Sequence, residues 1–256
     1  MKAYFCAIDS MTMKIVWFLF LCPILGFSQT SLNDVETLFE NKQFEKAEIL
    51  ISQYLDTNPN NIEAIELLGD AYGHQKKWDD AIDAYKKIVE VNPDNANYHY
   101  KYGGALGMKA LQNKLKAIGL IGAIKVSFTK AAELDANHIE ARWALVELYM
   151  QLPGIFGGSK SKSLRYAQEL ENLSKVDGYL AKGYVYEYDN ELQLAEKYYK
   201  LAIKEGGSLI CYDKLTRFYI SQNQPEKAIS NLNAAYKKHQ DKDLLQQIQA
   251  LEEKQL

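Results

Sequence analysis

The residues that could do chemistry in this chain are four dispersed histidines, a few cysteines and one glycine-rich loop. His74, His99, His138 and His239 stand far apart, and none belongs to a spaced metal motif. His138-Ile139-Glu140 lacks the Pro-Cys-x2-Cys that a zinc deaminase would add. There is no His-Glu-x2-His, no Gly-x-Ser-x-Gly and no Cys-x2-Cys. Asp79 and Asp80 are neighbours on a helix, so their carboxylates point apart and read as solvated acids. Cys211, between Ile210 and Tyr212, reads as a packed thiol rather than a nucleophile. Gly154-x4-Ser159-Lys160-Ser161 comes within one residue of a phosphate loop, but Ser159 replaces its glycine and a helix ending near Gln151 replaces its strand. In a milder form, Gly157, Gly158 and Ser159 lead into a helix N-terminus whose N–H groups suit an anion. The favoured reading is structural: Ile155 and Phe156 tucked inward, with Ser159 or Ser161 capping the next helix. No catalytic, cofactor-binding or metal-binding residue is assigned, and the expectation is a protein that is not an enzyme.

Composition narrows the partner. An apolar fraction of 47% over 256 residues is ample for a core, and 18 tyrosines make the chain rich in aromatics. A net charge of −3 argues against nucleic acid, which demands clustered Lys and Arg. Lys14 precedes the apolar run Ile15–Leu21, and Gly26-Phe27-Ser28 places small residues where a signal peptidase reads. Residues 1–28 are therefore expected to be a signal peptide cleaved after Ser28, with residues 1–12 a start-site artefact and Met13 the start. The apolar run is short for a membrane-spanning anchor, and bulky Leu21 argues against lipid attachment at Cys22. Cys6 and Cys22 fall in that segment, so Cys211 is the one thiol left and no internal disulfide can form. The expected location is exported, periplasmic or secreted.

The elements that would position these residues repeat. Ile65-x2-Leu68-Gly69-x2-Tyr72, Ala81-x3-Tyr85 and Pro93 set small residues where two helices approach and large ones at helical spacing. Ala47 to Ala81 is 34 residues, and so is Pro59 to Pro93. Two markers agreeing on one period define a repeat. These residues resemble the tetratricopeptide repeat, with Ile65 and Tyr85 standing for its Trp and Phe. Further copies follow the anchors Ile124, Ser163, Ala195 and Ala228. The resemblance covers roughly Ser31 to Lys238. It implies an all-α, right-handed superhelical solenoid of about six hairpins over residues 29–256, without a sheet. A polar helix from about Lys242 to Lys254 would cap it.

Repeats three and four are irregular, at 107–130 and 152–162. Lys114–Lys125 in isolation resembles a basic amphipathic helix suited to an anionic membrane. The preferred reading makes Ile118, Ile121, Ile124 and Phe128 a buried stripe, with Gly119 and Gly122 permitting close helix contact or a turn.

The resemblance also implies a concave face lined by the first helix of each pair, on which a peptide or protein segment lies. Glu66, Asp70, Tyr100, Trp143, Glu147, Tyr184 and Tyr188 would line it. Such a groove suits a basic or aromatic segment of another exported protein, and the chain reads as a non-catalytic scaffold. The alternative is a small-ligand or lipophilic-substrate binding protein with an apolar cavity near Ile118, Phe156 and Trp143. A membrane surface ranks behind both.

Overall fold

The computed structural model describes residues 32–112 and 114–253. The signal-peptide segment 1–28 lies outside them. Within the described residues every regular element is helical. Six antiparallel hairpins run α1 (Val35–Glu40) with α2 (Phe44–Thr57), α3 (Ile62–His74) with α4 (Trp78–Val91), and α5 (Ala96–Gln112) with α6 (Lys114–Leu134). Then come α7 (Ile139–Gln151) with α8 (Lys160–Leu173), α9 (Lys175–Tyr188) with α10 (Leu192–Glu205), and α11 (Leu209–Ser221) with α12 (Pro225–His239). The closing helix is α13 (Asp243–Glu253), which buries Leu244 and Ile248 against Leu232 and Ala235. Each hairpin packs on the next, and the first helices also touch one another, α5 with α7, α7 with α9 and α9 with α11. The first helices therefore form the inner layer of a solenoid.

One pair of positions sets the packing inside every hairpin. The signature glycine of repeat two, Gly69, lies under the Tyr85 ring, and a β-carbon there would sit 2.5 Å from Tyr85 Cε1. Gly183 stands in the same relation to Tyr199 and Gly103 to Phe128. Where the first-helix residue grows, its partner shrinks. Repeat four sets Val146 against Ala167, both fully buried, and repeat one sets Val35 against Ile51. Repeat six has Thr216 and Leu232 at these places, with Asn231 donating a 2.8 Å hydrogen bond to the Thr216 hydroxyl. A glycine thus faces an aromatic ring and a branched residue faces an aliphatic side chain, which keeps the helices in contact.

Turn chemistry fixes the two edges. At one edge, Asn61, Asn95, His138 and Ser174 cap the following helix, accepting the N–H three residues on at 2.8 to 3.3 Å. Buried Arg142 closes the turn between α6 and α7. It donates to the carbonyls of Ala132, Asp135 and His138, and to Glu169. At the other edge, repeats one, two, five and six turn through a single left-handed residue, Lys42, Lys76, Asn190 or Asn223, at φ of 54° to 61°. The next N–H returns to the carbonyl five residues back, as from Lys77 to Tyr72 at 2.9 Å.

Repeats three and four abandon that turn. α6 has 21 residues where α4, α8 and α10 have 14 each, so the third hairpin overshoots the edge by about 10 Å. Ile124 and Phe128 are core residues as expected, but the buried stripe stops there. Ile121 is partly buried and Ile118 is exposed, because at that height the hairpin has no neighbour to cover it. Gly119 and Gly122 make no close contact, since added β-carbons would meet nothing within 4 Å. In the fourth repeat Ser159 caps α8 as expected, accepting the Lys162 N–H at 3.3 Å. Ile155 is not tucked inward. It is 88% exposed at the crest of a single 3-10 turn, Gly154–Phe156. Gly158 is where the loop is tightest, and a β-carbon there would lie 1.7 Å from the Leu152 carbonyl oxygen.

Candidate functional site

The sites of conventional chemistry are taken up by structure. His74 stacks on Phe44 with ring centroids 4.2 Å apart, while His99 and His239 each place Nε2 2.8 Å from a backbone carbonyl. Cys211 is fully buried beside the Ser208 hydroxyl. Among the described residues no three His, Cys, Asp or Glu side chains are grouped to hold a metal. In the glycine-rich loop, the N–H groups of Gly157, Gly158 and Ser159 bond to the carbonyls of Gly154, Pro153 and Tyr149. Three donors that an anion would need are thereby already engaged.

The inner layer is more informative. Polar side chains cross from each first helix to the next. Lys101 of α5 ion-pairs with Glu66 and Asp70 of α3, at 2.7 Å each, and Tyr85 adds a hydrogen bond to Asp70 at 2.6 Å. Desolvation pulls the Lys101 pKa down, but hydrogen bonds to Asp70 and Glu66 outweigh it and hold the ammonium above its ordinary value. Glu66 and Asp70 thus lie on the inner layer with their charge answered inside the fold. Sequence reading did not single out Lys101, since a lone lysine 31 residues from its partner leaves no local signal.

Trp143 joins two hydrophobic clusters and donates its indole N–H to Asp177 at 3.0 Å. It ties α7 to α9. Tyr184 accepts a long hydrogen bond from Gln151 at 3.4 Å, and its ring centroid is 6.0 Å from that of Tyr188, which is exposed. Tyr100 packs between Phe128 and His138.

Glu147, on α7, is the acid around which the rest gather. It reaches solvent, yet protein surrounds it closely enough that desolvation pushes its carboxyl above the ordinary range, with Lys214 of α11 pulling the other way. Its charge in turn acts on Tyr100 and Tyr184, whose phenols rise mainly through desolvation. Surface exposure and desolvation seem opposed, but both hold for a residue on the floor of an open groove. Among the described residues Glu147 has no ion-pair partner within contact distance. The structure places Tyr100, Glu147, Tyr184 and Tyr188 on successive first helices with Tyr184 beside Tyr188, sets Trp143 as a strut between α7 and α9, and pairs Glu66 and Asp70 with Lys101.

The apolar cavity of the alternative reading is not assembled from its named residues. Ile118 is on the projecting hairpin, Trp143 is wedged between core clusters, and Phe156 presents its carbonyl to Lys125 at 3.4 Å. A cleft of about 570 Å³ instead opens at the capped edge beside Tyr100, lined by Asn95, Asn97, Asp135, Asn137, His138 and Glu140. Its polar lining suits water and peptide groups.

Comparison with known proteins agrees with this geometry. The family model described as tetratricopeptide repeat matches residues 36–103. A tetratricopeptide repeat protein from Parabacteroides merdae aligns at a TM-score of 0.60 and 13% identity, over 80% of this chain and 77% of its own. PilW, described as a widely conserved type IV pilus biogenesis factor, aligns at 0.59 and 15%, over 84% and 94% of the two chains. YrrB, described as a TPR protein with an unusual peptide-binding site, aligns at 0.51 and 17%, over 79% and 95%. No curated protein matches the chain by sequence. Residues 36–103 thus match the tetratricopeptide repeat family, and the fold beyond them is similar to that of solved tetratricopeptide repeat proteins.

Proposed function

We propose that this protein is a non-catalytic scaffold of the cell envelope that holds a cationic segment of a partner protein in its inner groove. Glu147 carries the reading: a carboxylate without an ion-pair partner among the described residues, partly desolvated and flanked by tyrosines. A lysine or arginine arriving there replaces lost hydration with a charge-assisted hydrogen bond and lies near the Tyr184 and Tyr188 faces. Glu66 and Asp70, neutralised by Lys101, contribute shape rather than charge. The peptide-binding description of YrrB and the pilus-biogenesis description of PilW are compatible with such a role on the same fold.

Export follows from the sequence of residues 1–28, and amino-terminal sequencing of the protein from fractionated cells should begin at Gln29. An intact amino terminus on cytosolic protein would contradict it. Affinity capture from the envelope fraction tests the groove itself. The wild-type chain should retain a partner that Glu147→Lys and Tyr184→Ala each release, with helicity unchanged. Capture of the same partner by both variants would overturn the assignment.

A further inference from the structure

We infer that the projecting edge formed by the α5–α6 hairpin and the 3-10 turn at Gly154–Phe156 is a docking surface for an anionic lipid bilayer. The two irregular repeats are neighbours, and both replace the turn at the same edge of the solenoid. Lys125 joins them, reaching from α6 to the Phe156 carbonyl at 3.4 Å.

Their surface is unlike the rest of the molecule. An exposed helix face is ordinarily charged. On α6 the outward row is Ile118, Gly119, Gly122, Ala123 and Val126, with no polar side chain in it. Ile118 is 56% exposed and Val126 67%, while Leu111 on α5 is 65% exposed and Ile155 stands at the crest of the neighbouring turn. Among the described residues nothing covers this apolar surface.

Charge selects the occupant. From Asn95 to Ala132 there is not one acid among 38 residues, in a chain whose 33 acids would place about five there, against six lysines, of which Lys101 and Lys109 pair with acids of the preceding repeat. From Leu148 to Gln168 there are again no acids, while Lys162 and Arg165 are present beside Lys160, which pairs with Asp189 and Glu191. A protein partner would need an apolar patch shaped to this row and ringed by acids. A phospholipid surface rewards both features, because apolar side chains enter the interface while lysines meet its negative potential. The overshoot of about 10 Å is also the depth to which interfacial helices settle. Among the described residues no helix is long and apolar enough to cross a membrane, so the contact is peripheral.

Vesicle sedimentation with residues 29–256, which carry the whole described fold, tests this independently of the groove. The protein should partition at least about tenfold more strongly onto phosphatidylglycerol–phosphatidylethanolamine vesicles than onto phosphatidylcholine, and be released by about 0.5 M salt. Leu111→Ser/Ile118→Ser/Ile155→Ser should lose about tenfold in partition while its circular dichroism and unfolding midpoint stay unchanged. Lys125→Gln/Lys162→Gln probes the charge separately and should weaken binding severalfold on the anionic vesicles alone. Equal binding to both lipids, no vesicle binding, or wild-type partition by both variants would overturn the inference. Capture of an acidic protein without vesicle binding would overturn it as well.

Discussion

Glu147 makes the groove pH-sensitive, and the sign follows from its environment. Desolvation raises the carboxyl above its ordinary range, against the pull of Lys214, so the folded protein favours the protonated form more than the unfolded chain does. Ionised Glu147 is thus a small burden at neutral pH, lifted as pH falls through the raised pKa. A bound cation reverses the preference and expels the proton. Affinity for a cationic segment should hold steady above that pKa and decline below it, by at most about tenfold per pH unit. Titration calorimetry with the captured segment should show this decline in wild type and none in Glu147→Gln. The packing pair offers a second test at this scale. Gly69→Ala gains up to about 1 kcal/mol of helix propensity but drives a methyl into the Tyr85 ring, at a cost of roughly 1–3 kcal/mol. Net destabilisation in urea unfolding is expected, and Gly69→Val/Tyr85→Ala, the pair used in repeat four, should recover most of it. Lys101 and Arg142 were not legible in advance at this scale. Their roles depend on partners in other elements that no local spacing reveals.

Helices and their order were legible because a 34-residue period carries both anchor residues and turn residues in phase. Pro59 and Pro93 marked the breaks between repeats, and just beyond them Asn61 and Asn95 cap the helices that follow. The opposite edge was less open to reading. A left-handed turn residue is usually glycine, yet repeats one and two place Lys42 and Lys76 there. Lysine in that conformation costs roughly 1–2 kcal/mol relative to a right-handed one. Lys76→Gly should therefore raise stability by about 1 kcal/mol in chemical denaturation. A loss of stability would show that Lys76 contributes contacts the turn geometry does not explain. The third hairpin misled the sequence reading for a related reason. Apolar spacing identifies a face but not whether a neighbour stands opposite it, and at Ile118 none does.

The described residues form a row of hairpins closed at one end by α13, with Glu66 and Asp70 of the inner layer paired to Lys101 and Glu147 left without an ion pair among them. The all-helical architecture of the described residues follows from the fact that each hairpin buries its face on its neighbours. Which residues of the groove remain available was not legible, because it depends on pairing between successive first helices. Two surfaces with different chemistry result. The proposed groove carries tyrosines and Glu147, and the projecting edge is apolar, so the two proposals would let one scaffold hold a protein while resting on lipid. The most direct measurement of the groove as the working surface is site-specific photocrosslinking in cells. A benzophenone-bearing residue in place of Tyr188, exposed beside Tyr184, should form one dominant adduct with a partner protein. The same residue in place of Lys197, exposed on the second-helix layer at α10, should form none. Adducts from Lys197 and none from Tyr188 would contradict the account.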